Sequence, residues 1–219
     1  MGQRTTTIIL TESVKGRKNV KVYHDQWGIG RKSYLDLITI SNAVYNLDYN
    51  ADICKEIFIP KNTSNAFQIY ELEYYKNGKC KKFFDTECNK NLKASDAPSW
   101  DDWFNSFKIG DFIKHNCDNN NGGMVVYIKE TKTEDSFRTN QNITAKWLLG
   151  TEDHTRTYEI NGEVITDNPE NKIYGEAYSM FLTAHEYANL EINRRFADSP
   201  FMDVFDSFCK YFEIETEKK

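Results

Sequence analysis

The sequence lacks any apolar run that could cross a membrane, and it has no charged-then-apolar leader at its start. Its apolar stretches fall well short of the ~20 residues that a membrane helix needs. We therefore expect a protein that stays out of membranes and is not exported through a signal peptide. The signatures of common enzyme classes are also missing. There is no P-loop and no Gly-x-Ser-x-Gly nucleophile elbow, so no cofactor is implied.

Cysteine is scarce and has no recognisable spacing. The number of cysteines is odd and no Cys-x-x-Cys pair occurs, which argues against a zinc ribbon and against a disulfide framework. Reduced thiols in a cytoplasmic environment fit this usage best. The five cysteines are Cys54, Cys80, Cys88, Cys117 and Cys209.

An excess of positive charge is absent too. The chain holds 28 Lys and Arg against 33 Asp and Glu, which gives a net charge of −5. A protein that binds duplex nucleic acid usually needs a positive face, so the overall charge disfavours that function. Local basic groups remain, at Lys79, Lys81 and Lys82 and at Arg194 and Arg195.

The predicted strands cluster in the first 165 residues and the predicted helices at the end, with one helix inserted early, and this arrangement is typical of an α+β protein. We predict an antiparallel or mixed sheet covered by helices, and a pair of helices at the carboxyl end. One domain spans residues 1–219, with 80–118 as an insertion or mobile region and 213–219 as a frayed tail. The predicted strands are 5–10, 19–24, 67–75, 80–84, 124–128, 158–160 and 163–165, with 142–149 as a strand or short helix. The predicted helices are 33–47, one beginning at Ser99, 175–196 and one beginning at Pro200.

Residues 23–31 hold the most chemically capable side chains, at a predicted junction between strand and helix. His24 is a candidate general base, Asp25 could orient it or bind a metal, and Arg31 could hold an anion at a helix start. Gln26 and Trp27 are candidate binding residues. The alternative is a tight strand-to-helix turn at Gly28 and Gly30, with Trp27 in the core and His24 bonded to a backbone carbonyl. A third glycine is missing, so this is not a dinucleotide-binding fingerprint.

Three segments resemble a known family. The amino terminus reads Gly2-Gln3-Arg4, residues 23–31 read YHDQWGIGR, and residues 118–123 read DNNNGG. They are similar to segments of a family of uncharacterised proteins from phages, bacteria and fungi, which begin Gly-Gln-Arg-His-Gln and continue to His-Gln-Trp-x-Tyr-Gly. This sequence departs at Thr5, where the family often has histidine, at Asp25, and at Ile29, where an aromatic residue is usual. The resemblance implies shared architecture and a phage-type origin, and the absence of histidine at Thr5 removes a His pair.

Several further motifs are incomplete. Asp118, Asn120 and Gly122 alternate like the start of a calcium loop, but the twelfth position is Lys129 instead of Glu. His115 and Cys117, next to Asp118, are candidates for metal ligands, and the sequence places no further ligand near them.

The remaining candidate is a pair of tryptophans. Trp100 and Trp103 lie on one side of a predicted helix start, where they either anchor a partner or cap the core.

These observations favour a phage-type accessory or virion-associated protein that acts through contacts with a protein partner or by self-assembly. On that interpretation the protein resides in the host cytoplasm or in the virion. The alternative is a small hydrolase or nucleotide-handling enzyme that combines residues 23–31 with the turn at 115–118. The two differ in the environment of His24. An enzyme should place it in a concave pocket with other polar groups, whereas an assembly protein should bury it and expose an apolar patch elsewhere.

Overall fold

The structure is a computed structural model. It describes residues 4–25, 30–48, 51–59, 66–117, 122–133, 139–148, 158–160, 163–165 and 181–183. The strands are β1 (Thr5–Glu12), β2 (Lys18–Asp25), β3 (Ala66–Tyr74), β4 (Cys80–Asp85), β5 (Lys90–Leu92), β6 (Gly123–Lys132), β7 (Thr139–Leu148), β8 (Tyr158–Ile160), β9 (Glu163–Ile165) and β10 (Phe181–Leu182). The α-helices are α1 (Gly30–Tyr45), α2 (Ile53–Glu56) and α3 (Ser106–Asn116), and two 3₁₀ turns span Ala94–Asp96 and Asp101–Phe104.

Eight strands form one mixed sheet in the order β10-β7-β6-β1-β2-β3-β4-β5. Neighbours are antiparallel except β1 and β6, which run parallel with Ile8 opposite Val125. β8 and β9 pair separately as the predicted hairpin. The α+β prediction is therefore confirmed in its broad form, a mixed sheet with helices.

The first face of the sheet is covered by α1 and α2. Apolar residues of α1 recur at the spacing of one helical stripe and pack on side chains of β1, β2 and β6. This cluster includes Leu37, Ile40 and Val44 of α1, Ile53 of α2, and Ile9, Tyr23, Met124, Val126 and Trp147 of the sheet.

The second face is covered by the segment between β5 and β6. Asn105 caps α3 by accepting a hydrogen bond from the Lys108 amide at 3.2 Å, and α3 then buries Ile109, Phe112 and Ile113. The region from 80 onward, which the sequence suggests is an insertion or mobile region, thus supplies much of this core. The cluster includes Ile8, Leu10, Val20, Val22, Leu72, Phe83, Trp100, Trp103, Phe112 and Leu148.

The structure differs from the sequence prediction at the helix start near Ser99. Ser99 and Asp102 bond reciprocally, with the Ser99 amide 2.8 Å from the Asp102 carboxylate and the Asp102 amide 3.3 Å from the Ser99 hydroxyl. This closes only the short 3₁₀ turn Asp101–Phe104, because Asn105 has extended backbone (φ −105°, ψ 113°) and α3 begins anew after it.

A second difference lies near the carboxyl end. Phe181 and Leu182, inside the predicted helix 175–196, form β10 and pair with Leu148 and Trp147. Backbone pairing with β7 therefore replaces helix at these two residues. The rest of the predicted carboxy-terminal helical pair, and the tail 213–219, lie outside the described residues.

The Tyr74 hydroxyl ties the second-face cluster together. It accepts a hydrogen bond from the buried Trp103 indole at 2.6 Å and donates one to the Pro98 carbonyl at 3.0 Å.

We expect Tyr74→Phe to lower the free energy of unfolding by about 1–3 kcal/mol, because it leaves a buried donor and an acceptor without a partner. Denaturant unfolding measures this. The matched control is Tyr75→Phe, at an exposed ring, which should change stability by less than about 0.5 kcal/mol. Equal effects of the two variants would contradict this role for Tyr74.

Candidate functional site

One end of the sheet brings together the three segments that the sequence analysis selected separately. Thr6 lies opposite His24 on β2 and opposite Gly123 on β6. The Thr6 amide also donates to the Gly122 carbonyl at 3.2 Å. The start of β1, the end of β2 and the turn before β6 are therefore direct neighbours. We call this region the polar end, defined by the buried residues Thr5, Thr6, His24, Asp25, Ser33, Asp36 and Cys117.

Two glycines allow the turn before β6 to come this close. Gly122 has a positive φ of 79°, a conformation that favours glycine. A Cβ on Gly123 would lie 2.8 Å from the Thr6 carbonyl oxygen, inside van der Waals contact. The Gly-Gly pair is therefore required by the approach of β6 to β1. Asp118 and Asn120, the candidate binding residues of this turn, lie outside the described residues.

His24 and Asp25 face opposite sides of the sheet. Side chains alternate along a strand, and β2 follows this rule, with Val22 in the second-face cluster and Tyr23 in the first-face cluster. His24 is only 7% exposed, and its ring contacts that of Phe67 edge-on at 5.3 Å. Asp25 lies on the α1 side. Asp25 is therefore not placed to orient the His24 ring, which is one of the two roles that the sequence suggests for it.

The first turns of α1 add polar groups that the sequence reasoning missed. Ser33 and Asp36 are buried, and the Ser33 hydroxyl accepts a hydrogen bond from the Trp147 indole at 2.9 Å. Both residues fall on the buried stripe of α1 beside Leu37 and Ile40. Polar residues on an otherwise apolar stripe are the signal that could have identified them. Arg31 lies in the first turn of α1, while Gln26 and Trp27 are outside the described residues.

His115 and Cys117 do not form a shared site. Cys117 ends α3 and is buried on the second face. Burial raises the pKa of its thiol to about 12, and a hydrogen bond with the Thr6 side chain offsets only part of that rise. His115 is exposed and pairs with Asp111 one helical turn earlier, 3.2 Å away. Within the part of the chain that the structure describes, no three metal-ligating side chains cluster.

Of the two roles open to the tryptophan pair, a partner anchor or a cap on the core, the structure places both rings in the core. Trp100 and Trp103 are 3% and 0% exposed, so neither ring is available to a partner. The exposed aromatic side chains of this region are instead Phe104 and Phe107. The pattern Trp-x-x-Trp is compatible with core and surface alike, so spacing alone could not distinguish these roles.

The comparisons with known proteins give no relative from which a function could be transferred. No family model matches the chain, and no curated protein or solved structure matches it. Among the described residues, no helix has the length and apolar character needed to cross a bilayer.

The environments of the thiols predict an order of reactivity. Thiolate is the reactive form, and the pKa of about 12 leaves Cys117 almost wholly protonated at pH 8. Cys88 is exposed, although a hydrogen bond with Asp85 raises its pKa as well. We expect iodoacetamide to modify Cys88 first and Cys117 last among the four described cysteines, as mapped by peptide mass spectrometry. Cys88 should still be labelled faster than Cys117 at pH 9.5, because the Cys117 thiol remains mostly protonated there. Early labelling of Cys117 in the folded chain would contradict its assigned environment.

Proposed function

We propose that this protein acts through protein–protein contacts, in the first place with further copies of itself, and not by catalysis at His24. The observation that carries the proposal is the contrast between two regions. The most chemically capable residue is packed inside the fold, whereas aromatic rings near α3 face solvent. A phage-type accessory or virion-associated role, in the host cytoplasm or the virion, is the finer form of this proposal and rests on the resemblance of the amino-terminal motifs.

The environment of His24 argues against a general base. A general base must come within about 3 Å of the proton that it removes from a substrate. The ring of His24 is buried and packed edge-on against Phe67.

The exposed aromatic rings form a definable contact surface. Phe104 is 45% exposed and Phe107 is 69% exposed, at the junction of the 3₁₀ turn with α3. The Phe104 ring makes edge-on contacts with two other rings. Its centroid lies 5.8 Å from that of Trp100 and 5.0 Å from that of Tyr127. We call Phe104 and Phe107 the aromatic corner. Large rings held in place by a core are typical of the residues that dominate protein interfaces. Covering both rings would contribute roughly 2–3 kcal/mol per chain.

Solution mass tests the proposal. We expect light scattering at tens of micromolar to give a mass above the 25.6 kDa of one chain. Phe104→Ser with Phe107→Ser should return the mass to that of a single chain, because it removes the apolar surface that an interface would bury. The matched control is Tyr45→Ser with Phe58→Ser, which alters two exposed aromatic residues elsewhere. A single-chain mass for the unaltered protein, or equal effects of the two double variants, would contradict self-association through the aromatic corner.

A second candidate is the hydrolase or nucleotide-handling enzyme, which one observation favours. Segments distant in sequence meet at the polar end and bury two carboxyl groups, Asp25 and Asp36, with the Ser33 hydroxyl. Buried carboxyl groups are uncommon and occur at catalytic sites. A panel of phosphate and carboxylate esters tests this candidate. Turnover that is lost in Asp36→Asn, while the variant stays folded, would support it. The absence of turnover across the panel would argue against it.

A further inference from the structure

An open cleft lies on the first face of the sheet, at the end opposite the polar end. Its volume is about 380 Å³, within the range of small-molecule sites. The turn between β1 and β2 forms one wall, α2 a second, and the turn between β3 and β4 a third. Asn19, Glu71 and Glu73 line it from the sheet. The cleft is therefore built from segments that come together only in the folded chain.

Positive charge dominates this cleft. Its lining includes two carboxylates and six cations: Lys15, Arg17, Lys18, Lys55, Lys76 and Lys81. The surplus is notable because the whole chain carries a net charge of −5.

The two carboxylates already have partners. Glu73 pairs with Lys81 at 3.4 Å. Glu71 accepts a hydrogen bond from the Asn19 amide at 3.4 Å and lies 4.0 Å from the Lys82 ammonium. The carboxylates of the cleft therefore do not neutralise its remaining lysines.

Three of the lysines form no ion pair within the described part of the chain, and each comes from a different wall. Arg17 pairs with Asp52 and Lys18 lies 3.8 Å from Glu12, which leaves Lys15, Lys55 and Lys76. These three side chains are exposed.

Packed features hold two of the three lysines in place. The stem of Lys76 runs across Gly16, so that a Cβ there would lie 3.3 Å from the Lys76 Cε atom. Lys21, buried beneath α2, donates from its ammonium to the carbonyls of Lys55 at 3.0 Å and Ile57 at 2.6 Å. It thereby ties the end of α2, and with it Lys55, to β2. Packing on Gly16 therefore positions the Lys76 side chain, and the hydrogen bonds of Lys21 position the backbone of Lys55.

We propose that this cleft binds an oligophosphate, a compact anion with two or more linked phosphate groups. Lysine ammonium groups bind phosphate oxygens as point charges, and three of them that lack a carboxylate partner call for a ligand with several negative charges. A single small anion would leave most of that charge uncompensated and most of the volume unfilled. The ligand is either an inorganic oligophosphate or the phosphate chain of a nucleotide, whose base would stack on the exposed ring of Tyr75 at the rim.

Calorimetry with the full-length chain and sodium tripolyphosphate, in 0.15 M salt, tests the proposal. We expect saturable one-to-one binding. The triple variant Lys15→Gln, Lys55→Gln, Lys76→Gln should weaken it roughly tenfold or more, since it removes the three ammonium groups that have no carboxylate partner. The matched control is Lys90→Gln, Lys108→Gln, Lys114→Gln, which makes the same change in net charge at exposed positions outside the cleft. Its affinity should stay within about twofold of the unaltered chain.

Further ligands identify the source of the phosphate groups. If ATP binds more tightly than tripolyphosphate, and if Tyr75→Ala removes this difference in affinity, the cleft is assigned to nucleotides. Equal affinities for the two ligands assign it to oligophosphate alone. Three results would overturn the proposal: no binding of tripolyphosphate, equal loss in the two triple variants, or equally tight binding of citrate. Tight binding of a single-stranded oligonucleotide without binding of tripolyphosphate would also overturn it, in favour of a nucleic-acid surface. None of these results depends on the oligomeric state, so the outcome is independent of the aromatic corner.

Discussion

The rest of the structure depends on the pairing of β1 along both of its edges. β1 is antiparallel to β2 on one side and parallel to β6 on the other, and all its residues except Glu12 are buried. A strand in this position must have both faces covered. Ile9 requires α1 and α2 on the first face, while Ile8 and Leu10 require α3 and the 3₁₀ turn on the second. Full burial of each of these three side chains contributes about 1.5–3 kcal/mol.

The same pairing gives the two ends of the sheet different characters. At the polar end, Gly123 packs closely against Thr6, and the polar side chains nearby, including His24 and Cys117, are buried. At the opposite end, the β1–β2 turn, α2 and the β3–β4 turn form the walls of a cleft that is open and positively charged. Polar and charged groups therefore lie at both ends of the sheet, buried at one end and around an open cleft at the other. We propose that the exposed lysines and aromatic rings, and not the buried groups, contact other molecules.

Local patterns accounted for much of the fold. The β1–β2 hairpin, the hairpin at Asn77-Gly78, the strand after Gly123 and helix α1 each follow from periodicity and turn residues within a short window. The parallel pairing of β1 with β6 could not be predicted, because residues more than a hundred positions apart carry no local signal for it. The brief β5 and β10 were missed for the same reason, since they form only by adding to a neighbouring strand.

The candidate site was predictable only in part. The alternation of a strand already implied that His24 and Asp25 face opposite sides. Burial was not predictable, because it depends on tertiary neighbours. Cys117 is buried and His115 is exposed because only one face of α3 packs on the sheet. Trp103 is buried, and its indole donates a hydrogen bond to Tyr74, which lies on a strand distant in sequence. The burial of Ser33 and Asp36 could not be predicted either, because it depends on the packing of α1 over β2 and β7.

We propose that the aromatic corner is the contact surface of the protein, whereas His24 is buried within the fold. Hydroxyl-radical footprinting, read residue by residue across a range of protein concentrations, tests it most directly because it reports side-chain exposure. We predict strong labelling of Phe104 and Phe107 in dilute protein, protection of both as concentration rises, and little labelling of His24 throughout. Strong labelling of His24 in dilute protein, together with labelling of Phe104 and Phe107 that does not change with concentration, would contradict it.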